Sequence, residues 1–536
     1  MPSPLGFRSV PPICQAGSAP GLDVQSGHRP PTVESKETGM QRMGRNLAIV
    51  IVVVAVIVAG AGLYLRPIAP VATGYAAQIT CGGALVAGRS VESASADLPS
   101  NPLVPFLRIS ASEDSVTTSL LGLWDSTSWY TPGVGCTLAD EDPGFAPVLP
   151  AQATPVDQPW PSGNLVDLQV ARDATGVNGA ALDLAVEAAF TEDDPDGQKN
   201  TRAVVVVHGG QVVAEEYAPG FDADTPLLGW SMGKSVANAI VGRLVHEGQV
   251  DLDASGLRPE WANDERSSIQ LDQLLRMESG LAFDESYDPN TDATNMLFTP
   301  GSTADFAAAK PLEANPGTYW SYSSGTSNIV CDVAHRTSGM GVEMARELVF
   351  DPLGMDSAVM EADDSGELVC SSFPYATARD WARFGQWFLQ AGVWDGEQLL
   401  PEDWIPFTTD PVTLDTENPY GAHWWLNTDA DGTVRMPDVP GDAYWASGNE
   451  GQQVVVIPSL DTVVVRLGFT SDFGGVDWGL EDLISGVMDG LPAGVQVEVP
   501  AEEDGPAEVV TEGPTPSGTT TATPTGTPTA SSSPAG

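Results

Sequence analysis

One uninterrupted apolar run, Leu47 to Leu65 (LAIVIVVVAVIVAGAGLYL), divides this chain before any other pattern is considered. It carries no charge, and at about 19 residues it is long enough to cross a hydrocarbon core as a helix. A cleaved signal has a shorter apolar region followed by a small-x-small site. Here the run closes on Arg66-Pro67, so an uncleaved signal-anchor over residues 44–66 is expected, with cleavage near Ala76-Ala77 as the weaker alternative. Lys36, Arg42 and Arg45 precede the run and only Arg66 closely follows it. That asymmetry puts the N-terminus in the cytoplasm and the rest outside, a single-pass protein of the cell membrane. Residues 1–43 are rich in Pro, Gly and Ser and are expected to be disordered, and Met40 or Met43 would also serve as a start.

The far end is equally distinct. From residue 496 the chain becomes acidic and then almost only Thr, Pro, Ser, Gly and Ala, which cannot bury a core. A flexible or glycosylated stalk is the expectation. Between the two ends hydrophobic residues are plentiful (42% of the chain), enough for a globular body. The formal net charge of -49 argues against nucleic acid or an anionic membrane face as partners. No HExxH or paired CxxC occurs, and with five histidines no metal site is expected.

Four of the five cysteines, Cys81, Cys136, Cys331 and Cys370, follow the apolar run, and Cys14 precedes it. On an oxidising side, Cys81–Cys136 and Cys331–Cys370 are the pairings suggested by neighbourhood. Four cysteines allow three connectivities, and free buried thiols are the alternative.

Residues 67–174 mix short apolar runs with Gly and Pro and are expected to form a small, partly irregular extracytoplasmic lead-in. TSLLGLWDSTSWYTPGVGCTL within it suggests a hairpin or two. From 175 to 495 the pattern is that of a folded α/β body. RAVVVVHGGQVVAEEYAPG holds two β-branched runs around Gly209-Gly210, and QQVVVIPSLDTVVVRLGF repeats the device around Pro458-Ser459. Between them lie helical stretches such as SMGKSVANAIVGRLVHEG, with Val236, Ile240 and Leu244 four apart and Gly248 as a stop. A sheet built from both ends of the segment with a helical middle is expected.

Three constellations carry chemistry. In Ser231-Met232-Gly233-Lys234 the serine opens a helix, where unpaired N–H groups favour developing negative charge. Lys234, three residues on, shares its face, and desolvation would let it act as base. The plain alternative is an N-cap serine beside a solvated lysine. In NPGTYWSYSSGTSNIV, Tyr322 could shuttle a proton, with Ser324 or Asn328 orienting the network. The plain alternative is a core tyrosine with a satisfied hydroxyl. In YWASGNEGQQVVVIPSLDTVVVRLG a Gly-containing segment leads into a strand. Substrate could lie along it as an edge, and it could donate an N–H to an oxyanion together with the Ser231 N–H.

SMGK, YSS and SGNEGQ, in that order before a terminal hairpin, resemble the serine beta-lactamase and penicillin-recognising superfamily. The likeness is to its class C-like branch of esterases, D-aminopeptidases and 6-aminohexanoate-dimer hydrolase. LLRMESGLAFDESYDP, SSFPYATARDWARFG and YGAHWWLN resemble the last of these most. The resemblance implies an α/β (α+β) fold, an antiparallel sheet flanked by helices plus a helical lobe. It also implies Ser231 as acylated nucleophile, Lys234 as its base and Tyr322 as proton relay, with no cofactor. Ser324 would be the second polar residue of the middle motif. Ser447, Gly448 and Asn449 would form the oxyanion strand, and Tyr287 would lie near substrate.

Ala446 stands where the family has the lysine that holds penicillin carboxylates, and Asn449 where many relatives carry His. The missing lysine argues against a true beta-lactamase and for hydrolysis of an ester or small amide. The competing readings are a non-catalytic cell-surface binding module of the same fold and a D-amino-acid peptidase acting on peptidoglycan.

Overall fold

The computed structural model describes residues 37–99, 101–192, 198–414, 418–470 and 478–492. The stretch before Glu37 and the tail beyond residue 492, both expected to be disordered, lie outside the described residues. The chain divides into two units, the second beginning at Pro67. In the first, helix α1 runs Glu37–Leu65, starting earlier than the expected anchor at 44. Its Met43–Leu65 stretch, of mean hydropathy 2.9, is long and apolar enough to cross a membrane.

The second unit opens with helix α2 (Ile68–Cys81), which the mixed composition of the lead-in did not suggest. Its small residues allow close packing. A Cβ on Gly74 would lie 2.0 Å from the Phe298 carbonyl. A four-stranded antiparallel meander follows: β1 (Leu107–Ala111), β2 (Ser115–Leu120), β3 (Trp124–Thr131) and β4 (Gly135–Leu138). Cys81 at the end of α2 is joined to Cys136 on β4 by a disulfide. Glu361, fully buried, accepts from Gln78 Nε2 (2.6 Å) and from the Cys136 N–H (2.9 Å), which ties this module to the body.

The body proceeds through α3 (Gly179–Ala189), strands β5 (Thr201–His208) and β6 (Gln211–Tyr217), short strand β7 (Leu227–Leu228) and helix α4 (Met232–His246). Then come α5 (Asp292–Phe298), α6 (Ser324–Ser338), β8 (Val359–Met360), β9 (Pro374–Ala376) and α7 (Ala378–Leu389). The chain closes with β10 (Trp425–Leu426), β11 (Tyr444–Gly448), β12 (Gln452–Ile457), β13 (Thr462–Gly468) and α8 (Leu480–Gly490). Both expected hairpins form. Gly209 and Gly210 have φ of 58° and 70°, the left-handed pair that a two-residue hairpin turn needs.

The main antiparallel sheet has the order β10-β11-β12-β13-β5-β6, so the last hairpin pairs with the first. Both of its faces are apolar. Val205, Val207, Val454, Val456, Val463 and Val465 pack against the helical middle. Val204, Val206, Val455 and Val464 pack against α3 and α8. Complete burial of such a side chain is worth about 1.5–3 kcal/mol, and this makes the sheet the rigid floor of the body. Helix α7 lies close on it because Gly385 has no side chain; a Cβ there would meet Val463 at 2.6 Å. The fold is the expected one, antiparallel sheet with flanking helices and a helical lobe.

Candidate active site

Ser231 sits at the joint between β7 and α4. Trp230, the residue before it, is buried and held at φ 48°, and its Nε1 donates to Glu450 Oε2 at 3.0 Å. A non-glycine residue in the left-handed region is uncommon and costs energy. Here the burial of Trp230 and its bond to Glu450 hold it in a turn that presents Ser231 at the mouth of a cleft. Ser231 occupies the N-cap position, yet its side chain caps nothing, which removes the plain alternative for this serine.

Lys234 is fully buried and its Nζ has three partners: Ser231 Oγ (3.0 Å), Ser324 Oγ (3.1 Å) and the Ser371 carbonyl (3.1 Å). Burial lowers its pKa to about 8, against an upward pull from Glu285. It is therefore not a solvated helix lysine. Tyr322 places its hydroxyl within hydrogen-bonding reach of Ser231 and its ring 4.7 Å from Lys234 Nζ. Burial, then Glu285, push that phenol well above its ordinary value. Its ring is fixed by Trp425 (5.5 Å between centroids) and Tyr420 (5.9 Å).

Ser324, the first residue of α6, connects this group to a carboxylate. Its N–H and Oγ donate to Glu285 Oε2 and Oε1 at 2.7 and 2.5 Å. Glu285 is raised by burial, opposed by Lys234 and by the two Ser324 bonds. Asn328, one helical turn further, accepts from the Ser371 N–H at 3.0 Å, and the Cys331–Cys370 disulfide clamps the same segment to α6. The carbonyl that receives Lys234 is thus positioned from two sides.

The third motif closes the cleft. β11 pairs with β10 only at Tyr444 and Trp445. It is an inner strand over its first half, not an edge throughout, and its Ser447-Gly448 end has no partner on that side among the described residues. Gly448 approaches the serine turn so closely that a Cβ would lie 2.0 Å from the Gly229 carbonyl. Ser447 Oγ accepts from Gln453 Nε2 at 2.9 Å. Asn449 follows at the lip, and Glu450 beside it has φ 61°. Tyr287 is 42% exposed, but its hydroxyl turns inward to within reach of Ser324 and Ser372.

Ser231, Tyr287, Tyr322, Ser447, Gly448 and Asn449 all line one cleft of about 390 Å³. Lys234 and Ser324 lie directly beneath it. Glu285, Ser371, Glu450 and Trp425 were not singled out in the sequence. Glu285 is one carboxylate in an acidic loop, and Ser371 contributes a backbone carbonyl, which has no sequence signature. Ala446 is buried, pointing no charge into the cleft.

Residues 186–476 match the family described as Beta-lactamase. Over 314 residues the chain is 26% identical to the 6-aminohexanoate-dimer hydrolase of Paenarthrobacter ureafaciens, covering 54% of this chain and 77% of that protein. Similar solved structures include a putative beta-lactamase from Bacteroides dorei (19% identity, 58% of this chain and 97% of that one, TM-score 0.48). Another is a family VIII carboxylesterase (18% identity, 59% of this chain and 98% of that one, TM-score 0.46).

Proposed function

The chain belongs to the beta-lactamase family of serine hydrolases, and from that premise we propose that it cleaves an ester or small amide through an acyl-enzyme on Ser231. The observation that carries this reading is Lys234: a buried amine 3.0 Å from Ser231 Oγ with a pKa lowered to about 8. Near neutral pH such an amine is partly unprotonated and can take the Ser231 proton. Ser231 Oγ then attacks the carbonyl carbon. The oxyanion is received by the N–H groups of Ser231 and Asn449, and the close approach of Gly448 to the Gly229 carbonyl supports this by holding the strand end against the serine turn. Tyr322, in reach of Ser231, passes a proton to the leaving group and later takes one from the attacking water. Ser324 holds Lys234 in place, and Tyr287 covers the substrate.

The cleft favours neutral or amine-bearing substrates over carboxylates. Glu285 and Glu450 line it, and Ala446 offers no cation where a penicillin carboxylate would need one. Residues 175–495 would form the hydrolase domain, with 67–174 as its lead-in, 44–66 as the signal-anchor, and 1–43 and 496–536 as appendages. The apolar helix α1 supports a cell-membrane address with the hydrolase outside.

The test is labelling with a fluorophosphonate together with turnover of p-nitrophenyl acetate. The wild-type chain should be labelled at Ser231, and Ser231→Ala should abolish both signals. Unchanged turnover in Ser231→Ala would sink the reading.

A further inference from the structure

The meander built from β1 to β4 takes no part in the cleft, yet one end of it exposes three large apolar side chains together. Phe106, Leu121 and Leu123 are 56%, 53% and 73% exposed. They are neighbours: the Leu121 N–H donates to the Phe106 carbonyl at 3.3 Å, and Leu123 closes the same turn on Leu120 at 3.1 Å. Single exposed leucines are ordinary, but a cluster at the tip of a turn marks an interaction surface.

Its direction is given by side-chain bonds between α2 and the meander. Thr73 Oγ1 bonds Ser126 Oγ at 2.7 Å, and Ser128 Oγ donates to Gln78 Oε1 at 2.7 Å. Five helical residues from Thr73 to Gln78 rise about 7.5 Å. Two strand residues from Ser126 to Ser128 rise about 6.6 Å. The near match means that β3 runs alongside α2 in the same direction. Tracing back from Ser126, the Leu121-Gly122-Leu123 turn therefore reaches level with Ile68, the start of α2. Ile68 is separated by only Arg66 and Pro67 from the end of the apolar helix α1. The opposite tip, Ser112-Glu113-Asp114, is polar and lies at the other end of the strands.

We infer that the Phe106–Leu121–Leu123 tip is a membrane-docking finger that inserts into the outer leaflet and seats the hydrolase on the lipid surface. The inference rests on the reading of α1 as a membrane anchor. Two linking residues keep the tip within reach of the bilayer once α1 spans it, and aliphatic and aromatic side chains at the interface gain from leaving water. The chain's acidity does not oppose this, because insertion of apolar groups needs no anionic lipid.

The experiment uses the full chain in nanodiscs of zwitterionic phosphatidylcholine, in a Cys14→Ser background that leaves the paired cysteines alone. Single thiols at Leu123→Cys, Glu113→Cys and Ile57→Cys carry an environment-sensitive fluorophore, and nitroxide-labelled lipid is the quencher. The expected result is a blue shift and loss of emission at 123 and 57, with 113 unaffected. A label at 57 that is quenched beside one at 123 no more quenched than that at 113 overturns the docking and leaves the anchor standing. No quenching at 57 overturns both.

Discussion

Replacing Glu285 by Gln should move the pH at which this hydrolase becomes active, in a direction opposite to that expected of a lost catalytic acid. Glu285 and Lys234 both bond Ser324 Oγ, at 2.5 and 3.1 Å, so their charges are two hydrogen bonds apart. At about 5–6 Å and an effective dielectric near 20, unit charges attract by about 3 kcal/mol. At about 1.4 kcal/mol per pKa unit that is up to about two units, and partial screening brings it to between one and two. A carboxylate favours the ammonium form, so its removal lowers the Lys234 pKa below the present value of about 8. Lys234 must be neutral to accept the Ser231 proton. The rising limb of kcat/KM against pH should therefore shift from near 8 to about 6–7. The assay is turnover of p-nitrophenyl acetate, or the rate of fluorophosphonate labelling, between pH 5 and 10. The position of the limb is read separately from the height of the plateau, which drops if Ser324 loses its orientation. Asp284→Asn, on the exposed neighbour, should leave the limb where it is. A limb that stays near 8 in Glu285→Gln, or moves upward, refutes the account of Glu285 as a charged partner of the lysine.

Gly448→Val should cut turnover by about a hundredfold or more with the circular dichroism unchanged, because the new Cβ would lie 2.0 Å from the Gly229 carbonyl and push β11 off the serine turn; labelling at the wild-type rate would contradict this. Removing the Cys331–Cys370 bridge by Cys331→Ser with Cys370→Ser should cost about 4 kcal/mol from a loop of sequence separation 39, and should also slow labelling as the Ser371 carbonyl loosens. Urea unfolding and labelling kinetics measure the two effects, and an unchanged midpoint counts against it. Glu361 is raised by burial from 4.5 to about 8. Between those values the unfolded chain releases a proton that the folded chain keeps, so stability falls as pH rises, by about 1.4 kcal/mol per unit. Glu361→Gln should make the fall between pH 5 and 8 shallower by about one proton, and equal slopes for the two proteins would refute the role.

Local pattern made much of this protein legible. The apolar run, the Gly209-Gly210 hairpin and the valine-rich terminal hairpin are short-range signals, and each became the element it suggested. The serine, lysine and tyrosine were legible because helix spacing puts Ser231 and Lys234 on one face, and because three motifs in order resemble a known family. Helix α2 was not legible. Its Gly74 and small alanines read as lead-in composition, and they make sense only against the Phe298 backbone and the meander. Nor could the acidic loop give up Glu285 over its neighbour Asp284, since both are carboxylates and only one is turned toward Ser324.

What the sequence determined by itself is the set of parts: a serine at a helix start, a lysine one turn away, a tyrosine before a second helix and a glycine-bearing strand. What only the tertiary structure decided is the state of those parts. Burial of Lys234 among Ser231, Ser324 and Ser371 lowers its pKa, and Glu285 opposes that shift from a loop 51 positions along the chain by numbering. Desolvation and charge act through space, so the same S-x-x-K spacing would give an ordinary cationic lysine on an exposed helix.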